Sequence, residues 1–126
     1  MKRILIVDDS ITARIFVRRC LEAIGFGQAE FVEAENGRIA LDKAKENPVD
    51  LVVSDLTMPD MDGESMLKRL KSNPTLHEVP VLIISSAGNP AKIAELLEMG
   101  ALAVLAKPFS PADIYGVLQP FIPTEE

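Results

Sequence analysis

Short aliphatic runs recur along this chain, separated by segments whose apolar positions return every three or four residues. The runs are Ile4–Val7, Phe31–Ala34, Leu51–Ser54, Val81–Ile84 and Leu102–Ala106. They are continuously apolar rather than alternating, which predicts strands covered on both faces. Between the first two runs, Ala13, Phe16, Val17, Cys20, Leu21 and Ile24 recur at helical spacing, and Gly25 and Gly27 supply a stop. ENGRIALDKAKENP predicts a second helix with Asn36 as N-cap and Pro48 as its limit. A third runs from about Asp62 to Ser72. GNPAKIAELLEMG sets Asn89 as cap, Pro90 at the first helical position and Gly100 as terminator, and SPADIYGVLQP opens a fifth helix at Ser110 and Pro111 that Pro120 limits. Five strands alternating with five helices predict an α/β fold, a parallel sheet with helices on both faces, because parallel strands need crossovers.

In an open parallel sheet, ligands bind beyond the carboxyl ends of the strands, where strand order reverses. The first run is followed by Asp8 and Asp9, the third by Asp55, the fourth by Ser85 and Ser86, and the fifth by Lys107. The strand bodies hold almost no polar residue besides Glu33 and Ser54, so these polar ends stand out. Taken singly, each has an ordinary explanation: Asp8 or Asp9 as a helix N-cap, Asp55 as a loop acid, Ser85 as a cap or turn former, Lys107 as a solvated lysine. Taken together at four strand ends, they point to one pocket. Two like charges ~4 Å apart repel by about 4 kcal/mol at an effective dielectric of 20, so three carboxylates there call for a compensating cation. Oxygen ligands without His or Cys suit Mg²⁺, with Mn²⁺ as the alternative. Lys107 adds an ammonium able to hold a phosphoryl oxygen. A carboxylate, a metal, a lysine and a hydroxyl are the parts needed to receive a phosphoryl group on an aspartate. Other reactive residues read as structural. Cys20 falls on the apolar stripe of the first helix, His77 in a loop away from the strand ends, and Asp60 and Asp62 as solvated or capping acids beside Gly63, which permits positive φ.

Composition narrows the functional classes. The chain has 126 residues, 48% hydrophobic and 25% charged, with a formal net charge of -6. That size fits one soluble domain burying roughly 65–70% of its unfolded surface. The acidic balance argues against a nucleic-acid binder, which carries basic patches. One cysteine allows no internal disulfide, and no apolar run approaches the ~20 residues of a membrane span. MKRILIV is too short for a signal-peptide core. The expectation is a cytoplasmic protein without a membrane or nucleic-acid partner.

ILIVDDS, VVSDLTMPDMDG, VLIISSAG and VLAKPF, in this order and spacing, resemble the receiver domain of two-component response regulators, closest to the single-domain chemotaxis type. The resemblance spans the whole chain and implies one receiver over 1–126 with no output domain, and strand order 2-1-3-4-5. It implies that Asp55 is the phosphoacceptor and that Asp8, Asp9, Asp55 and the backbone carbonyl of Thr57 hold Mg²⁺. Ser85 is then the switch hydroxyl, and Lys107 pairs with the phosphoryl group across a cis Lys107–Pro108 bond. The partners implied are a histidine kinase or phosphotransfer protein as donor, and an output protein. Such a domain is no enzyme in the ordinary sense and catalyses only its own phosphorylation and dephosphorylation.

One position departs from the chemotaxis pattern. Three residues before the lysine, where those proteins carry an aromatic switch, stands Val104. It joins Ile93, Leu97 and Tyr115 as candidate exposed apolar groups on a face of helix four, strand five and helix five, a surface for an output protein or a second copy of the chain. The loop from Ser86 to Asn89 is expected to carry the shift in place of a ring. Two other readings compete. A haloacid-dehalogenase-like phosphatase also forms an aspartyl-phosphate but needs a second acid where DLTMP has Thr57. A phosphorylation-independent connector has no need of the full reactive set.

Overall fold

The computed structural model describes residues 1–86 and 89–123. Five strands are joined by five helices in strict alternation: β1 (Arg3–Val7), α1 (Ile11–Leu21), β2 (Glu30–Ala34), α2 (Gly37–Glu46), β3 (Leu51–Asp55), α3 (Gly63–Ser72), β4 (Val81–Ser85), α4 (Pro90–Glu98), β5 (Ala103–Ala106) and α5 (Pro111–Leu118). All four strand pairings are parallel and the order is β2-β1-β3-β4-β5. The chain thus winds outward in both directions from β1 and β3, which places the topological switch point at their carboxyl ends.

The period-two alternation of strand side chains divides the core into two layers. Leu5, Val7, Val52, Val81 and Ile83 face one way and pack with Ala40, Leu41, Met66, Leu67, Leu70 and Leu96 of α2, α3 and α4. Ile4, Ile6, Leu51, Val53, Leu82 and Ile84 face the other way and pack with Val17, Cys20, Leu21, Ile114 and Leu118 of α1 and α5. Helices on both faces explain why these strands read as continuous apolar runs. The caps also follow the sequence. Asn36, Asp62 and Asn89 accept backbone N–H bonds at the starts of α2, α3 and α4, and Ser110 and Asp113 form a reciprocal capping box at α5.

Several expected details shift. Strands β3 and β4 each extend one residue further, so Asp55 and Ser85 are strand residues, while β5 begins at Ala103. The first helix is α-helical only to Leu21. It then widens into a π-type turn over Glu22–Phe26 in which Gly25 takes φ 125°, and Ile24 belongs to that turn. Phe16 is not part of the buried stripe: it is 45% exposed, at the margin of the arc that Val17, Cys20 and Leu21 bury. Gly63 does not use positive φ. The left-handed residue of that loop is Asp60, at φ 65°. Gly63 is needed for close approach, since a Cβ there would lie 2.4 Å from the Asp55 carbonyl oxygen.

This contact yields a paired prediction. Gly63→Ala pushes against the β3 backbone and should cost about 1–3 kcal/mol or more. A Cβ at Gly116 in α5 meets nothing within 4 Å, so Gly116→Ala should stabilise by roughly 0.5–1 kcal/mol. Urea denaturation midpoints measure both.

Candidate functional site

The site is built on the two central strands. Val7 of β1 pairs with Ser54 of β3, so Asp8 and Asp55 come side by side at the sheet edge. The Asp8 amide still donates to the Ala34 carbonyl of β2 at 3.0 Å, holding its backbone on the ladder. Its carboxylate is oriented by the Ser10 amide, which donates to Asp8 Oδ1 at 2.9 Å. Ser10 is the N-cap of α1, its hydroxyl accepting from the Ala13 amide. The Asp-Asp-Ser sequence therefore divides its labour: the serine caps the helix and leaves both carboxylates available.

Asp55 Oδ1 accepts from the Leu56 amide at 3.0 Å, and that amide also donates to the Ile84 carbonyl. Lys107 Nζ lies 3.3 Å from Asp55 Oδ1 and 4.0 Å from Asp8 Oδ2. The lysine is placed by its own backbone, whose amide donates to the Ser85 carbonyl at 2.8 Å, and the Lys107–Pro108 bond is cis. Ser85 is buried at the end of β4, on the strand between Asp55 and Lys107. Thr57 is exposed two residues beyond Asp55 on the way to α3. The structure thus brings Asp8, Asp9, Asp55 and Lys107 together, with Ser85 and Thr57 on adjoining backbone. His77 stays outside, exposed with Nδ1 3.0 Å from the Pro74 carbonyl, and Cys20 is buried in the core.

The donor set fits a hard divalent cation. One carboxylate oxygen from each of Asp8, Asp9 and Asp55 lies within 4.8 Å of the others. Around an octahedral ion with bonds of about 2.1 Å, ligand oxygens stand roughly 3–4 Å apart, so small side-chain rotations close the set. Asp8 is buried, Asp55 half-buried and Asp9 exposed, which leaves a water-accessible side to the cluster. Burial is the main cause that raises the Asp8 pKa above its ordinary value. The Ser10 amide opposes it, the Asp55 carboxylate adds to it, Lys107 opposes it and Asp9 adds to it.

Arg14 is a residue that pattern reading passed over. Its Nη1 donates to the Asp8 carbonyl oxygen, and its Nε pairs with Glu33 at 2.8 Å. The signal was available: Glu33 is a charged residue set between Val32 and Ala34 inside β2, and Arg14 lies one turn beyond the helix cap. The other unanticipated feature is apolar. Phe16 and Phe109 approach with ring centroids 5.3 Å apart beside the charged cluster.

Comparison with known proteins agrees with this geometry. The family model for the response regulator receiver domain matches residues 4–119. The probable chemotaxis protein CheY of Rhizobium etli is 35% identical over 108 residues, covering 86% of this chain and 82% of that protein. Chemotaxis protein CheY-3 of Vibrio cholerae is 36% identical over 112 residues, covering 89% and 85%. The structure of the Vibrio cholerae chemotaxis response regulator CheY4 superposes with a TM-score of 0.83 at 33% identity, covering 97% of this chain and 99% of that one.

The electrostatics give a second prediction. A carboxyl group whose folded-state pKa is raised stabilises the fold below its unfolded pKa, and that contribution is lost as pH rises through the folded value. Metal-free protein at neutral pH therefore carries a cost at Asp8. Asp8→Asn keeps the oxygen that accepts from Ser10 and removes the charge, so it should raise metal-free stability at pH 7 by about 0.5–2 kcal/mol. The gain should shrink toward pH 4. Thermal melts across pH in chelator, with millimolar Mg²⁺ restoring part of the deficit only in wild type, provide the check.

Proposed function

Since the chain belongs to the response regulator receiver domain family, we propose that Asp55 is its phosphoacceptor and that Asp8, Asp9, Asp55 and the Thr57 carbonyl hold the Mg²⁺ the reaction needs. The protein is a response regulator of phosphorelay signalling. Domains of this family exchange phosphoryl groups with histidine kinases or phosphotransfer proteins and act on output proteins. The observation that carries the residue assignment is the Asp55–Lys107 contact of 3.3 Å inside the acidic cluster.

Each side chain has a distinct task. Asp55 is the nucleophile, its carboxylate held by the Leu56 amide and presented at the end of a strand that cannot move without breaking the sheet. Asp8, Asp9, Asp55 and the Thr57 carbonyl would hold Mg²⁺, or Mn²⁺ with the same oxygen ligands, which would supply positive charge beside the incoming phosphoryl oxygens. Lys107 holds a phosphoryl oxygen once the Asp55 charge has been used in the new bond. The Ser85 hydroxyl accounts for a further phosphoryl oxygen. Turnover is confined to the domain's own aspartate, with water as the acceptor in dephosphorylation. A haloacid-dehalogenase-like phosphatase is not favoured, because the receiver match spans residues 4–119 and Thr57 stands where a second acid would be needed.

Output is proposed to pass through α4, β5 and α5. The apolar surface there is narrower than the sequence implied: Leu97 and Tyr115 are 45% and 44% exposed, while Ile93 and Val104 are half-buried and Val104 packs on the α2–α4 side of the core. Lys92 of α4 is paired with Glu64 of α3 at 2.6 Å, so a shift of α4 must stretch or exchange that contact. Of the loop expected to move, Ala87 and Gly88 lie outside the described residues. The partner is an output protein or a second copy of the chain.

Two experiments test this function. Acetyl phosphate with Mg²⁺ should add one phosphoryl group, read by intact mass, that is lost in Asp55→Asn and in chelator. Equal labelling of that variant would place the acceptor elsewhere. Beryllium trifluoride should change amide shifts at Leu97, Val104 and Tyr115, with a coupling of about 1–3 kcal/mol between site and face. Changes confined to the Asp55 pocket would mean that the signal leaves by another face.

A further inference from the structure

Resting on the phosphoacceptor reading and deepening it, we propose that this site prefers small phosphodonors of one class, acyl phosphates with an apolar, ring-sized acyl group seated between α1 and the β5–α5 connection. An open pocket of about 600 Å³ lies there, its walls including Asp8, Lys107, Ala13, Phe16, Ile84 and Phe109. Two of these residues belong to the phosphoryl site and the other four are apolar. Ser10, whose hydroxyl is engaged in capping α1, and Thr12 add two hydroxyl side chains to the lining. The pocket is thus continuous with the reactive centre at one end and mostly apolar over the rest, and its volume falls in the range that takes small organic ligands.

The aromatic pair defines what fits. Phe16 and Phe109 meet with centroids 5.3 Å apart and planes tilted by 56°. Phe16 nevertheless remains 45% exposed. An exposed aromatic surface beside a charged cluster gains most from a flat apolar group that shares Lys107 and Asp8 at its polar end. A polyphosphate or sugar body would instead set charged or hydroxyl groups against walls that offer them few hydrogen bonds.

The chemistry balances without further reactants. An Asp55 carboxylate oxygen forms the new bond to phosphorus as the bond between phosphorus and the acyl oxygen breaks. The electron pair leaves on that oxygen as a carboxylate, which takes no proton, so the apolar walls need supply no acid. The leaving group departs on the side of phosphorus opposite Asp55. An acetyl group has only a methyl to offer the pocket, whereas a benzoyl group can cover both rings.

The test compares acetyl phosphate with benzoyl phosphate, whose leaving carboxylates are of similar basicity, at equal subsaturating concentrations with Mg²⁺. Labelling of Asp55 is followed by intact mass. Benzoyl phosphate should react roughly tenfold faster, the equivalent of about 1.4 kcal/mol of added aromatic contact. The benzoyl-to-acetyl ratio should fall toward one in Phe16→Ala and in Phe109→Ala, and recover in Phe16→Tyr. Because Phe16 is exposed, its truncation leaves the buried core unchanged, and far-UV circular dichroism checks the fold of each variant. A ratio near one in wild type, or a preference that survives both alanine substitutions, would overturn the pocket assignment while leaving Asp55 as phosphoacceptor. No labelling by either donor would overturn the phosphoacceptor reading and this inference with it.

Discussion

The register between β1 and β3 is the constraint on which the rest of this molecule depends. With Val7 opposite Ser54, the next residues outward are Asp8 and Asp55, two carboxylates that would separate if the chain were free. They cannot, because Ile4 to Val7 and Leu51 to Ser54 are essentially inaccessible to solvent and packed from both faces. A slip of one residue would turn each strand's side chains to the opposite layer, so the core opposes any relaxation of the charge cluster. Hydrophobic burial, spread over the two strands, holds in place an electrostatic arrangement that is unfavourable by itself.

The neighbours of the cluster offset that strain only in part. The Ser10 and Leu56 amides each satisfy one carboxylate oxygen, and Lys107 approaches Asp55 more closely than Asp8. What is left over is negative charge at a wet edge, which favours a bound cation and a phosphoryl group with it. The arrangement is one in which local stability is lower than the fold could achieve, as functional sites commonly are. Arg14 limits the damage by tying the backbone of Asp8 to Glu33 of β2, so the charged edge remains ordered.

The same edge links the site to the surface. Asp55, Ser85 and Lys107 end or follow three neighbouring strands, and the Lys107 amide is bonded to the Ser85 carbonyl. A group bound across Asp55 and Lys107 therefore acts on both elements that flank α4. Val104 shapes what this can do. A small β-branched side chain, half-buried and packed against the core, has no second position comparable to a ring swinging between solvent and interior.

Much of this was legible in the chain before any coordinates. The strand runs, the caps at Asn36, Asn89 and Ser110, the prolines that open α4 and α5, and the placing of Asp8, Asp9, Asp55 and Lys107 together, with Ser85 at the neighbouring strand end, follow from local or periodic properties that a parallel α/β sheet turns directly into positions. Features that depend on neighbours from distant segments were not legible. Phe16 matches helical spacing but lies outside the buried arc, because where α1 meets the sheet and α5 is set by the whole layer. Gly63 was assigned to backbone freedom, whereas it is the Asp55 carbonyl, eight residues away in sequence, that excludes a side chain there. The apolar pocket beside Lys107 joins residues from opposite ends of the chain. Periodicity and capping act over one or two turns and are written in the sequence, while close approaches and the exposed remainder of a face exist only once all the layers are packed.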